Sequence, residues 1–82
     1  MPTVLRLAGL RVVIYPNDHR PAHVHVMGGG SEAVFDLHCP DGPAELRENY
    51  GFSRQELTGI SARLAHVIEA LCREWSRIHG RS

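Results

Sequence analysis

The sequence predicts an α+β fold: a small, mostly antiparallel four-stranded sheet with one long C-terminal helix packed on its apolar face. Three observations carry this. Between Val4 and His38 apolar residues recur at every second position, the spacing of half-buried strands. After Ser53 they recur at intervals of three and four, the spacing of one helix face. Between these segments lie glycine- and proline-bearing connections, where regular structure is broken.

Val4–Leu7 and Leu10–Tyr15 read as the first two strands, with Ala8-Gly9 as a two-residue turn. That turn sets Leu7 opposite Leu10, Leu5 opposite Val12 and Arg6 opposite Arg11. Leu5, Leu7, Leu10, Val12 and Ile14 then share an apolar face, and Val4, Arg6, Arg11, Val13 and Tyr15 the other. Two arginines facing each other across a sheet repel unless they splay into water or find an acid, an anion or a partner. Pro16-Asn17-Asp18 forms the next turn, followed by His19 and Arg20. Asp18 there either fixes a loop N–H or orients His19, and its position favours the first.

The stretch from Asp18 to Val26 holds half of the chain's six histidines. Pro21 suits a strand entry because it lacks an N–H for the ladder. In the third strand, Ala22–Met27, His23 and His25 point one way and Val24 and Val26 the other. The histidines stand about 6–7 Å apart along the strand. The fourth strand runs Glu32–His38, and a Gly28–Ser31 connection pairs Val26 with Ala33 and Val24 with Phe35, joining the apolar sets. His25 then falls opposite Val34 and His23 opposite Asp36, a carboxylate placed to orient that imidazole.

Cys39-Pro40-Asp41-Gly42-Pro43 ends the sheet segment. Ala44–Tyr50 fits either a short edge strand or a helical turn. Ser53 and Glu56 form a capping box that starts the helix. Its stripe is Leu57, Ile60, Leu64, Val67, Ile68, Leu71, Trp75 and Ile78, and it stops before Gly80. Some 27 residues of helix span about 40 Å, more than a sheet of short strands covers. Leu71, Trp75 and Ile78 therefore read as a face for a protein partner.

Residues 1–82 are predicted to form a single domain. Hydrophobic residues make up 43% of the chain, too many for a disordered one. Formal charge is zero, so net charge exerts no pull on nucleic acid, and anion binding would need a local arrangement. All nine basic residues are arginine, which favours bidentate phosphate or carboxylate contacts. Cys39 and Cys72 have no metal-knuckle spacing and do not suggest a disulfide framework, so a cytoplasmic, reducing setting is the expectation. Met1-Pro2-Thr3 lacks a basic leader, and no apolar run approaches membrane-span length.

Met1-Pro2-Thr3-Val4-Leu5-Arg6, then Asp18-His19-Arg20-Pro21-Ala22-His23-Val24-His25-Val26, then Leu46-Arg47 with Tyr50-Gly51-Phe52-Ser53, together resemble the small prokaryotic family catalogued as domain of unknown function 4160. The resemblance covers nearly the whole chain. Its motif falls on His19, Arg20, Pro21, His23 and His25, with Arg6 and Arg11 in the preceding hairpin. The resemblance implies a partner encoded by a neighbouring gene, in arrangements similar to toxin–antitoxin modules. It supplies no catalytic assignment.

Three functions follow as expectations. The first is a protein-binding component or regulator of a toxin–antitoxin-like pair, joined to a small neighbouring-gene product or to a second copy of itself, with no cofactor, no metal and no membrane. The second is a toxin-like RNA-binding protein or metal-independent ribonuclease. There His23 and His25 would share acid–base work, Asp36 would orient His23, and Arg6, Arg11, His19 and Arg20 would contact phosphates or an acidic partner surface. The third is a metal-binding domain using His23, His25 and either an acid or His19.

Overall fold

The alternating segments pair in the order in which the chain makes them. The computed structural model describes residues 3–7 and 9–80. Strands β1 (Thr3–Leu7), β2 (Leu10–Val13), β3 (His23–Gly28), β4 (Ser31–Asp36) and β5 (Glu45–Tyr50) form one antiparallel sheet in sequence order. Helices α1 (Arg54–Ala65) and α2 (Ile68–His79) follow.

Both predicted hairpin registers are present. Leu7 faces Leu10, Arg6 faces Arg11 and Leu5 faces Val12. Gly9 takes φ +83° in that turn, and Ala8 lies outside the described residues. In the second hairpin Val26 faces Ala33, Val24 faces Phe35, His25 faces Val34 and His23 faces Asp36. The ladder continues to Gly28 opposite Ser31, so the turn itself is only Gly29-Gly30. Their φ values of +58° and +84° are the left-handed pair that a tight hairpin needs and that glycine adopts without a Cβ clash.

Two predicted elements differ. The sheet has five strands rather than four, because Glu45–Tyr50 adds to β4 as an edge. The register shifts between Val34 and Phe35, whose partners Glu48 and Leu46 leave Arg47 as an extra residue. This bulge accommodates the irregular alternation of that segment. The predicted single helix is two. His66 N–H donates to Arg63 O at 3.2 Å and Val67 N–H to Leu64 O at 2.9 Å, tightening the last turn of α1 before α2 begins. An unbroken helix of about 40 Å would overrun a molecule whose longest extent is 34 Å. Two 12-residue helices, each about 18 Å long, suit the sheet.

The core confirms the apolar parity. Val12, Ile14, Val24, Val26, Ala33, Phe35 and Leu37 from the sheet segments meet Phe52, Ile60, Leu64, Ile68, Leu71 and Trp75. Leu71 and Trp75, expected to face a partner, are buried inside this core, and Ile78 packs at its margin. The helix break turns the second half of the stripe back onto the sheet.

Cys39 and Cys72 form a disulfide, with Cα atoms 5.8 Å apart. The sequence reading expected none. Thirty-three positions separate the two cysteines, and only the return of α2 past the β4–β5 connection brings them together. Among the described residues, no helix is long and apolar enough to cross a membrane.

Candidate metal site

Strand parity turns His23 and His25 away from Val24 and Val26, onto the sheet face opposite the main core. On that face His25 sits in one row with Val13 and Val34, both buried. The chain entering β3 then doubles back over them. Asp18 N–H donates to Tyr15 O at 3.1 Å, a turn that swings the Asp18 carboxylate across the strand.

The result is a convergence on one oxygen. Asp18 Oδ2 lies 3.1 Å from His23 Nε2 and 3.0 Å from His25 Nε2. The other ring nitrogens face outward to acceptors. His23 Nδ1 lies 2.8 Å from Pro21 O, and His25 Nδ1 lies 3.0 Å from Glu32 Oε2. A carbonyl oxygen only accepts, so His23 Nδ1 carries the hydrogen and donates it to Pro21 O, whereas His25 has a carboxylate at each nitrogen and can donate to Glu32 or to Asp18. With the hydrogens on Nδ1, both rings present the Nε2 lone pair to Asp18. Lone pairs on three inward-facing atoms need a positive species among them.

Protons on the ring nitrogens or one metal cation would supply it. Two protons would make both rings cationic with centroids 5.4 Å apart, sharing a single acceptor oxygen. One divalent cation supplies the same charge at one point. The donor set and its support suit it: two imidazole Nε2 atoms and a carboxylate oxygen, each Nδ1–H held by a carbonyl or carboxylate. The three ligand atoms lie within 4.8 Å of one another. The Nε2–Oδ2 separations are a few tenths of an ångström below the ligand–ligand edge of about 3.3 Å in a tetrahedral zinc site, so small side-chain movements would admit the ion. The side chains of His23, His25 and Asp18 retain 7, 16 and 22% of their exposure, so the cluster is largely desolvated yet open at the acid.

Aromatic rings fix the imidazoles from the side. Tyr15 meets His25 edge-on at 4.7 Å between centroids, and Trp75 lies 5.3 Å from His23. Trp75 thus links α2 to the site, and His79 stacks on the Trp75 ring at 3.8 Å between centroids.

The remaining predicted residues are placed elsewhere. Asp36 forms an ion pair with Arg47, whose Nη2 lies 2.6 Å from its Oδ1, while the His23 ring nitrogens meet Pro21 O and Asp18. Arg6 and Arg11 share the histidine face by register, where Arg11 reaches Met27 Sδ at 3.4 Å. His19 and Arg20 are exposed on the connection. The residue that sequence reasoning missed is Asp18. It stands in the motif itself, but its approach to His23 and His25 depends on a chain reversal that periodicity does not encode.

Fold and site together define a small α+β domain bearing a two-histidine, one-carboxylate cluster on its sheet. The chain belongs to the family described as Domain of unknown function (DUF4160), whose model matches residues 9–76. No curated protein and no solved structure matches it.

Proposed function

We propose that this domain binds a transition-metal ion of the zinc class through His23 Nε2, His25 Nε2 and Asp18 Oδ2. The observation that carries the reading is that both Nε2 atoms meet one carboxylate oxygen while both Nδ1 atoms are held outward by oxygen acceptors. Three protein ligands leave a coordination position for water or a ligand group, the arrangement of a reactive rather than a closed site. Glu32 acts as a positioning residue by orienting the His25 ring. Metal-free RNA cleavage by the same histidines draws less support, because both nitrogens of each ring already face oxygen atoms.

Equilibrium dialysis against Zn²⁺, with metal counted by elemental analysis, tests the proposal. One ion per chain is expected, with His25→Ala and Asp18→Asn each weakening binding at least ~10-fold, as loss of a ligand or its support does. Substituted Co²⁺ should give visible absorption bands that vanish in His25→Ala. Folded wild type that takes up no metal, or variants that bind as well as wild type, would overturn it.

A second reading, partnership with a small protein in a toxin–antitoxin-like pair, draws support from Leu46 and Tyr50, which are 42 and 61% exposed on edge strand β5. Co-purification with the neighbouring gene product, and its loss in Leu46→Glu, is the test.

A further inference from the structure

A second feature lies on the helix side of the same connection. A groove of about 900 Å³ runs between the Arg20–Ala22 segment, the Cys39-Pro40 loop and α2. That volume falls within the range of small-molecule sites, roughly 300–1,000 Å³. Its walls are largely apolar: Pro21, Ala22, Pro40, Trp75 and the Cys39–Cys72 bridge. Arg20, Arg73 and Arg77 also line it.

The state of these arginines selects the ligand. Arg20 is exposed and has no ion-pair or hydrogen-bond partner among the described residues. Arg73 has only Glu69, at 3.8 Å, with both side chains mostly in water. Such a pair contributes little and gives way readily. Arg77 is held by two hydrogen bonds to Glu74 and is less available. Of the lining acids, Asp36 is engaged by Arg47 and Glu69 by Arg73. The groove therefore offers an apolar channel flanked by one free guanidinium and one loosely held guanidinium. Guanidinium groups recognise carboxylate and phosphate in a bidentate fork.

We propose that this groove is a binding site for a small organic anion with an apolar body and a single carboxylate or phosphate head, gripped by Arg20 and Arg73. The site is separate from the metal cluster, none of whose ligands lines it. It also gives a role to Arg20, a motif residue that the metal site leaves unused.

Trp75 is the chain's only tryptophan and lines the groove, so it serves as a built-in reporter. The probe is the fluorescent anion anilinonaphthalene sulfonate, titrated in EDTA so that metal binding plays no part. The expected result is one saturable site with Trp75 emission quenched by energy transfer. Benzoate or phenyl phosphate should displace the probe, and the stronger of the two identifies the head group. Benzyl alcohol, which has the apolar body without the charge, should compete at least ~10-fold more weakly, the difference expected from about 1.4 kcal/mol of charge recognition. Arg20→Gln and Arg73→Gln should each weaken probe binding ~10-fold. Arg63→Gln, on α1 and outside the groove, should leave it unchanged. Circular dichroism of each variant establishes that the fold is retained. Probe binding without Trp75 quenching, equal competition by the alcohol, or equal affinity in Arg20→Gln and Arg73→Gln would each overturn the proposal.

Discussion

The Cys39–Cys72 bond should account for a large share of this protein's stability. The two residues are 33 positions apart. In the chain-entropy treatment, closing a loop of that length removes about 12–13 cal/mol/K from the unfolded chain, or about 3.7 kcal/mol at 25 °C. A domain of this size is stable by about 4–12 kcal/mol in all, so losing the bond would bring it near the threshold of folding. Cys39→Ala is the cleaner perturbation, because Cys39 is exposed whereas Cys72 packs at the core margin. Urea melts would compare wild type with the variant, and oxidised wild type with the protein reduced by a dithiol. A loss of about 2–4 kcal/mol is expected, seen as a lower midpoint at similar slope. Two reactive thiols per native wild-type chain, or melts agreeing within about 0.5 kcal/mol, would refute the reasoning.

Three further outcomes are expected. Ser53→Ala removes the oxygen that accepts the Glu56 N–H at 3.0 Å and should cost about 1 kcal/mol in a urea melt, with an unchanged loss in Ser53→Ala/Glu56→Ala counting against the reciprocal cap. Gly51→Ala should cost about 1–3 kcal/mol, because Gly51 sits at φ +104° and a Cβ there would lie 2.6 Å from Ser31 Oγ; a neutral effect on the thermal midpoint would contradict it. The Tyr50 phenol donates to Glu48 at 2.9 Å, and that bond and the Glu48 charge raise its pKa above the ordinary 10.0. A raised folded-state pKa means that its contribution to stability is full below pH 10 and is lost as pH rises through the folded value. Ultraviolet titration should show Tyr50 ionising at lower pH in Glu48→Gln, and no movement would rule out the contact.

Local chemistry wrote much of this fold into the chain. The strand faces, both hairpin registers and the Ser53 cap follow from residues a few positions apart, whose period-two spacing, turn glycines and reciprocal hydrogen bonds act over one or two turns of backbone. The two histidines were legible for the same reason, since their parity follows from Val24 and Val26. Other features needed the closed molecule. The segment Glu45–Tyr50 alternates imperfectly and becomes a strand only because β4 offers it an edge and a bulge absorbs Arg47. The helix breaks at His66-Val67 because a straight rod would leave Leu71 and Trp75 uncovered, and burying them rewards the bend. Cys39 meets Cys72 only after α2 returns past the loop. Asp18 reaches His23 and His25 through a turn whose direction depends on the sheet beneath it. In each case the deciding contact joins segments far apart in the chain, and its free energy exists only once the intervening elements have packed.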